Sequence, residues 1–312
     1  MVVIIRTALY QIRIENVDGL LIIDKPAGIT SHDVVSRVRR ALGTKRVGHT
    51  GTLDPFATGV MVVVVGKATR LAQFLDKDEK EYEAVVQFGF ETDTGDNTGT
   101  RKAEGGRRNE EVVEGLCSAN WDLVLTKFRG DIMQTPPMYS AKKVEGKKLY
   151  ELARKGQEIE RRPVPVTIRE LELLDSEFRI PNSALRIRVA CSAGTYIRTL
   201  AEDIGREAGL GAHLTELRRT RAGRFTIDQS VTLDEVSSED LRPIELAVEH
   251  LPEFVLREDR VSKTLNGMST RDLSGTFVEG RQIRMTAPDG TLVAIGVYED
   301  AEKVIQPKVV LG

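Results

Sequence analysis

The sequence predicts an α+β protein in two parts, and three observations carry that prediction. Short β-branched or alternating runs, Val60 to Val65 and Leu185 to Cys191 among them, have the length and spacing of strands. An apolar stripe at helical spacing, Val34, Val35, Val38, Ala41 and Leu42, marks a helix that Gly43 stops. A chain of 312 residues is long for one core, and its pattern breaks near Arg242 to Pro252, where charge and Pro interrupt it. The expected division is 1–249 and 250–312, with a distinct insertion at about 127–162.

In chain order, Met1 to Arg6 is too short and wrongly flanked for a signal peptide, and the first dozen residues read as a variable extension. Gly19 to Asp24 is a short strand, and Lys25-Pro26-Ala27-Gly28 a turn by composition. Thr30 or Ser31 caps the helix that follows. Gly48 to Gly59 is a tight loop, Val60 to Val65 a buried strand, and Lys67 to Leu75 a short helix. Glu79 to Phe90 is a strand with Tyr82, Ala84, Val86 and Phe88 on one face. Thr92 to Gly99 is a shaped turn that lacks the ligand register and closing Glu of a calcium loop. Arg101 to Asn109 is a polar loop and Glu110 to Ala119 a modest helix. Leu185, Ile187, Val189 and Cys191 alternate with polar or small residues, so that strand has one buried face. A helix runs from about Gly194 to Ala208, then a strand through His213 to Arg219. Beyond the break come a helix at Glu258 to Leu265, strands at Arg281 to Met285 and Leu292 to Tyr298, and a tail at Gln306 to Leu311.

Composition removes several classes. Cys117 and Cys191 stand far apart with no metal spacing, which points to reduced thiols and no structural zinc. No run is long enough to span a membrane. A net charge of -2 argues weakly against nucleic acid, yet phosphate affinity follows local fields. Lys127 to Arg162 carries ten Lys or Arg against five Asp or Glu, interleaved with Tyr139 and Tyr150, as a backbone-tracking nucleic-acid surface requires. Arg37, Arg39, Arg40, Lys45 and Arg46 form a second basic cluster, and Arg218, Arg219, Arg221 and Arg224 a basic edge. A solvated face is the plain alternative for each.

The organising stretch is Gly48-His49-Thr50-Gly51-Thr52-Leu53-Asp54-Pro55-Phe56-Ala57-Thr58-Gly59. Its glycines and Pro55 make a constrained loop clamped to a buried strand, so Asp54 is a candidate preorganised carboxylate. A turn aspartate bonding its own backbone is the alternative. GHTGTLDPFATG closely resembles the catalytic loop of the TruB family of pseudouridine synthases, with Phe56 where Leu is usual. Further matches fall in family order: DKPAGITSHDVV, KEYEAVVQFG, TDTGDNTG, the segment from Gln134 to Gly156, CSAGTYIRTLAEDIG, and HLTELRR. A looser match to a PUA-like domain comes from LNG, DGTLVAIG and PKVV.

The resemblance implies a mixed, largely antiparallel sheet with helices packed on it, plus a small C-terminal PUA-like β-barrel. It implies catalytic roles for Asp54, for Tyr82 stacked on the target base, and for Arg198 as partner of Asp54. It places His49, Tyr196 and Leu217 around the base, Lys25 and Pro26 beneath the loop, and Lys142, Lys143, Arg218 and Arg219 toward RNA. The insertion is similar to a thumb that clamps an RNA stem-loop. Its presence implies the stand-alone bacterial type acting on the T-arm of tRNA, as a cytoplasmic monomer without guide RNA. Isomerising uridine involves no net redox, hydrolysis or phosphate transfer, so no cofactor is expected. Gly66-Lys67-Ala68 is correspondingly no P-loop, and Gly209-Leu210-Gly211 is half a dinucleotide fingerprint. Three rivals stand beside this reading: a non-catalytic RNA-binding or RNA-folding protein, a guide-dependent dyskerin-like synthase, and a two-carboxylate glycosidase. The glycosidase would need a second acid where the motifs offer an Arg and two Tyr.

Overall fold

The computed structural model describes residues 17–102, 114–117, 119–140, 142–144, 146–153, 155–157, 159–178 and 183–312. The expected N-terminal extension lies outside them, as does most of the polar loop at 101–109 and part of the helix at 110–119. The side chains of Lys143, Lys148, Glu177 and Phe178 also lie outside the described set.

The first sheet is built from β1 (Gly19–Lys25), β2 (Val47–Thr50), β3 (Thr58–Val65), β4 (Lys80–Phe88) and β5 (Gly130–Gln134). After a small ribbon, β6 (Lys143–Val144) with β7 (Lys147–Lys148), it continues through β8 (Val164–Phe178), β9 (Ser183–Cys191), β10 (Ala212–Ala222), β11 (Phe225–Thr226) and β12 (Val231–Thr232). The strand order is β12-β1-β3-β10-β4-β9-β8-β5, with β2 added to β3 and β11 to β10. Only β1–β12 and β3–β10 run parallel; the other pairs are antiparallel. Alternation decides the faces: Tyr82, Ala84, Val86 and Phe88 of β4 and Leu185, Ile187, Val189 and Cys191 of β9 all turn inward. They pack on Leu200, Ala201 and Ile204 of the helix Ile197–Glu207.

The helix Ser31–Ala41 buries Val34, Val35 and Val38. Of its two candidate caps, Thr30 does the work, in a reciprocal capping box with Asp33. Ser31 is thereby free to bond elsewhere. Residues 66–75 form a 3-10 turn, Gly66–Leu71, and one α-helical turn, Ala72–Leu75.

The basic insertion is narrower than 127–162. Residues 130–134 are hydrogen-bonded into the sheet through β8, so the excursion proper runs over 135–163.

A second sheet has the open order β13-β15-β16-β17-β14. Its strands are β13 (Glu253–Val255), β14 (Thr270–Arg271), β15 (Gln282–Thr286), β16 (Leu292–Glu299) and β17 (Val304–Val310), beside the helix Glu258–Leu265. Leu292, Ile295 and Leu311 join one apolar cluster with Leu20, Ile22, Val60 and Val62 of the first sheet. The two sheets therefore share core. No helix among the described residues is long and apolar enough to cross a membrane.

Candidate active site

The loop between β2 and β3 is held from below at several points. Lys25, fully buried, donates from Nζ to the carbonyls of Pro26 at 2.9 Å, Pro55 at 3.2 Å and Ala57 at 2.7 Å. Burial pushes its pKa down to about 8, with Asp54 opposing that shift. Ser31 Oγ donates to the Leu53 carbonyl and accepts from the Leu53 amide, and Gly28 N donates to Pro55 O at 2.8 Å. Gly59, at φ 102°, is required twice: a Cβ there would also sit 2.2 Å from the Arg219 carbonyl.

Asp54 emerges from this clamp with 31% of its side chain exposed, facing Arg198, whose side chain is 5% exposed. Arg198 Nε lies 2.8 Å from Asp54 Oδ2, and Nη2 donates to Oδ1 at 3.2 Å. The same guanidinium donates to the carbonyls of Tyr139 at 2.8 Å and Thr94 at 2.7 Å. Asp96 stands behind it, 3.8 Å from Nη1, its own Oδ1 accepting from Thr94 Oγ1 and Thr98 N. The planar fork is thus occupied on all sides, and its orientation is set before any ligand arrives. Burial pushes the Asp54 carboxyl above the usual carboxylate range; Arg198 pulls it back.

Two cavities meet at this pair. One of about 250 Å³ is walled by Tyr82, Lys80, Tyr196, Leu217, Arg219 and Lys142. The other, about 760 Å³, is lined by His49, His32, Tyr139, Tyr150, Thr94 and Asp96. Tyr82 is almost wholly buried, and burial raises its phenol pKa while the neighbouring Arg219 opposes that. His49 Nδ1 is buried without a hydrogen-bond partner, and burial lowers the pKa of the ring, Arg219 and His32 adding to the effect.

The structure thus brings together Asp54, Tyr82, Arg198, His49, Tyr196, Leu217 and Lys142, with Lys25 underneath. Lys143 lies on the β6–β7 ribbon. The basic edge on β10 differs from expectation. Arg219 is only 1% exposed and donates to Val60 O at 2.6 Å and Gly51 O at 3.1 Å, so it braces the loop and floors the cavity. Arg218 is bound two-pronged by Asp24, and Arg221 and Arg224 face Glu81 and Glu249. Carboxylates distant in the chain pair with Arg218, Arg221 and Arg224, while Arg219 is satisfied by carbonyls.

Sequence reasoning passed over three participants: Asp96, Lys80 and Gln134. Asp96 lies inside the TDTGDNTG stretch, where an acid at a fixed offset was visible. Gln134 opens the segment matched at 134–156, but its residue type gave no sign of a buried role. It is wholly buried at the end of β5 and bonds the Tyr196 backbone.

Comparison with known proteins gives concordant matches. Residues 39–197 match the TruB family pseudouridylate synthase N-terminal domain, and residues 198–256 the tRNA pseudouridylate synthase B C-terminal domain. A tRNA pseudouridine synthase B of Geobacillus thermodenitrificans is 47% identical over 264 residues, spanning 81% of this chain and 86% of that protein. The one from Bacillus subtilis is 38% identical over 307 residues, spanning 95% and 98%. Among solved structures, a chain of a Cbf5-Nop10-Gar1 complex superposes with a TM-score of 0.68 at 27% identity, covering 94% of this chain and 85% of that one. A chain of an H/ACA RNP bound to a substrate RNA containing 2'-deoxyuridine matches with a TM-score of 0.66 at 25% identity, with coverage of 94% and 85%.

Proposed function

The chain belongs to the TruB family of pseudouridylate synthases, and from that membership we propose that it isomerises a T-loop uridine of tRNA, with Asp54 as nucleophile. The observation that carries the reading is the Asp54–Arg198 pair at the mouth of a cavity walled by Tyr82, Tyr196 and Leu217. The reaction breaks the C1′–N1 bond, turns the uracil and joins C5 to C1′. The proton on C5 leaves and N1 gains one, so atoms and charge balance with no co-reactant. A carboxylate nucleophile serves whether it takes C1′ or C6.

Each wall has a task. Extruding a base from a folded loop costs roughly a few kcal/mol, and stacking on an aromatic returns roughly 1–3 kcal/mol. Tyr82 is the stacking partner and stands where a proton on the turning uracil would be handed over. Tyr196 and Leu217 close the sides. Arg198 holds the carboxylate ionised and aimed. The excursion at 135–163, rich in Lys, tracks the phosphates of the stem, with Lys142 on the cavity wall and Lys143 on the β6–β7 ribbon. The sheet formed by residues 253–310 serves as the auxiliary PUA-like RNA-binding part, and the protein acts as a monomer. Stand-alone action is favoured over guide dependence because identity to the tRNA enzymes, 38% to 47%, exceeds the 25% to 27% shared with the H/ACA-type chains.

The test is carbodiimide–primer extension of tRNA incubated with the purified protein. A single new stop in the T-loop is expected with wild type and none with Asp54→Asn. Because the basic surface is untouched, Asp54→Asn should bind T-arm RNA within several-fold of wild type. Modification by an Asp54→Asn preparation free of deamidation would overturn the mechanism. Absence of any stop with wild type would overturn the function.

A further inference from the structure

The Lys-rich excursion leaves the sheet and rejoins it at one strand pair. Gln134 ends β5, Val164 begins β8, and the two are register partners. Gln134 is fully buried although its side chain is polar. Its Oε1 accepts from the Tyr196 amide at 2.9 Å, and its Nε2 donates to the Tyr196 carbonyl at 3.3 Å. Tyr196 is the residue from which the helix Ile197–Glu207 starts, and its own side chain makes no capping bond there. Two residues further on, Arg198 reaches the other end of the excursion's root. Nη2 is shared between the Tyr139 carbonyl at 2.8 Å and Asp54 Oδ1 at 3.2 Å. The root is therefore fastened to the start of this helix at 134 and at 139, with the catalytic pair attached to the second fastening.

We propose that Gln134 is a positioning residue through which the seating of the 135–163 excursion is passed to the Asp54–Arg198 pair. The proposal rests on the tRNA-isomerase reading above. A buried amide bonded on both sides holds its partner rigidly, because breaking either bond leaves a polar group with no water to replace it. Tyr196 cannot shift without breaking that pair of hydrogen bonds, and Arg198 cannot shift far from Tyr196. Movement of the excursion when it grips RNA would pull on both fastenings. Gln134 holds Tyr196 against that pull, and so keeps Arg198 at the angle at which it meets Asp54.

Two variants test this. Gln134→Met keeps the length and removes both bonds at every pH. Gln134→Glu keeps the acceptor, and only its protonated form has a hydrogen to give the Tyr196 carbonyl. Burial favours that neutral form, so it titrates above the ordinary carboxylate range. The readouts are the single-turnover rate on T-arm RNA, RNA affinity, and a thermal melt to establish folding. Gln134→Met should lose at least tenfold in rate with Kd within threefold of wild type. For Gln134→Glu, the rate relative to wild type should rise at least threefold as pH falls from 8.5 to 6. A folded Gln134→Met with a rate within threefold of wild type, or a loss confined to Kd, would overturn the proposal. Should Gln134→Met not fold, Gln134→Glu decides alone, and a ratio that stays flat with pH overturns it. Inactivity of wild type on this RNA would instead remove the isomerase reading, and the proposal with it.

Discussion

Replacing Arg198 with Lys keeps the positive charge and removes the fork. In wild type, three hydrogen bonds leave the guanidinium in fixed directions, to Asp54 Oδ1, Thr94 O and Tyr139 O, beside an ion-pair contact of 2.8 Å from Nε to Asp54 Oδ2. An ammonium on a shorter stem has three donors at one point, and it cannot reach both Asp54 oxygens and both carbonyls. At least one bond to Asp54 and one to a carbonyl are lost. A hydrogen bond to a charged group contributes about 1.5–3 kcal/mol, so one such loss expressed in the barrier slows the reaction roughly 10- to 150-fold. If both losses fall on the barrier, the effect multiplies to roughly 10²- to 10⁴-fold. The assay follows from the chemistry, since the C5 hydrogen leaves: RNA carrying [5-³H]uridine releases tritium to water as pseudouridine forms. Single-turnover release at saturating enzyme isolates the barrier from binding. A rate for folded Arg198→Lys within threefold of wild type would show that charge alone suffices and that the two-pronged geometry is irrelevant.

Burial raises the Asp54 pKa, so the ionised nucleophile is lost as pH falls through a value above the usual carboxylate range. The acid limb of the wild-type kcat/KM profile should lie there, and a limb at or below 3.8 would contradict it. Lys25→Met takes the Lys25 donor from the carbonyls of Pro26 and Ala57 and leaves Pro55 O with Gly28 N alone, and it should cost about 2–4 kcal/mol in urea denaturation, after allowing for the relief of burying an ammonium. The same variant carries a pH signature. With the folded pKa near 8 against 10.5, the unfolded chain binds the extra proton between those values. Wild-type stability should therefore rise with pH across that window, and Lys25→Met should gain less. Changing Lys142, Lys143, Lys147 and Lys148 together to Ala should weaken RNA binding and flatten the slope of log Kd against log salt; an unchanged slope would take the excursion off the RNA.

Much of the fold was legible because local chemistry encodes it. Alternation in Tyr82 to Phe88 and Leu185 to Cys191 states which residues face a core, and the helix Glu258–Leu265 falls where its pattern places it. The loop around Asp54 declared itself through its glycines, Pro55 and the buried run behind it. Periodicity reports a face and not a neighbour, however. That β10 lies between β3 and β4 is decided by which apolar faces fit together across the sheet.

The same limit governs the polar residues. Arg219 reads as one more cation in a basic row. It is buried because Val60 and Gly51, 159 and 168 residues away, supply the carbonyls that make burial tolerable. Gln134 and Tyr196 are 62 residues apart, and nothing in either segment announces the bond between them. The sequence by itself determined the main elements and marked the constrained loop that carries Asp54, since those follow from residue type and local spacing, while Arg198 was singled out only through the family resemblance. The tertiary structure alone decided which polar groups satisfy one another. A hydrogen bond depends on distance and angle in space, and chain spacing fixes neither once the partners sit on different strands.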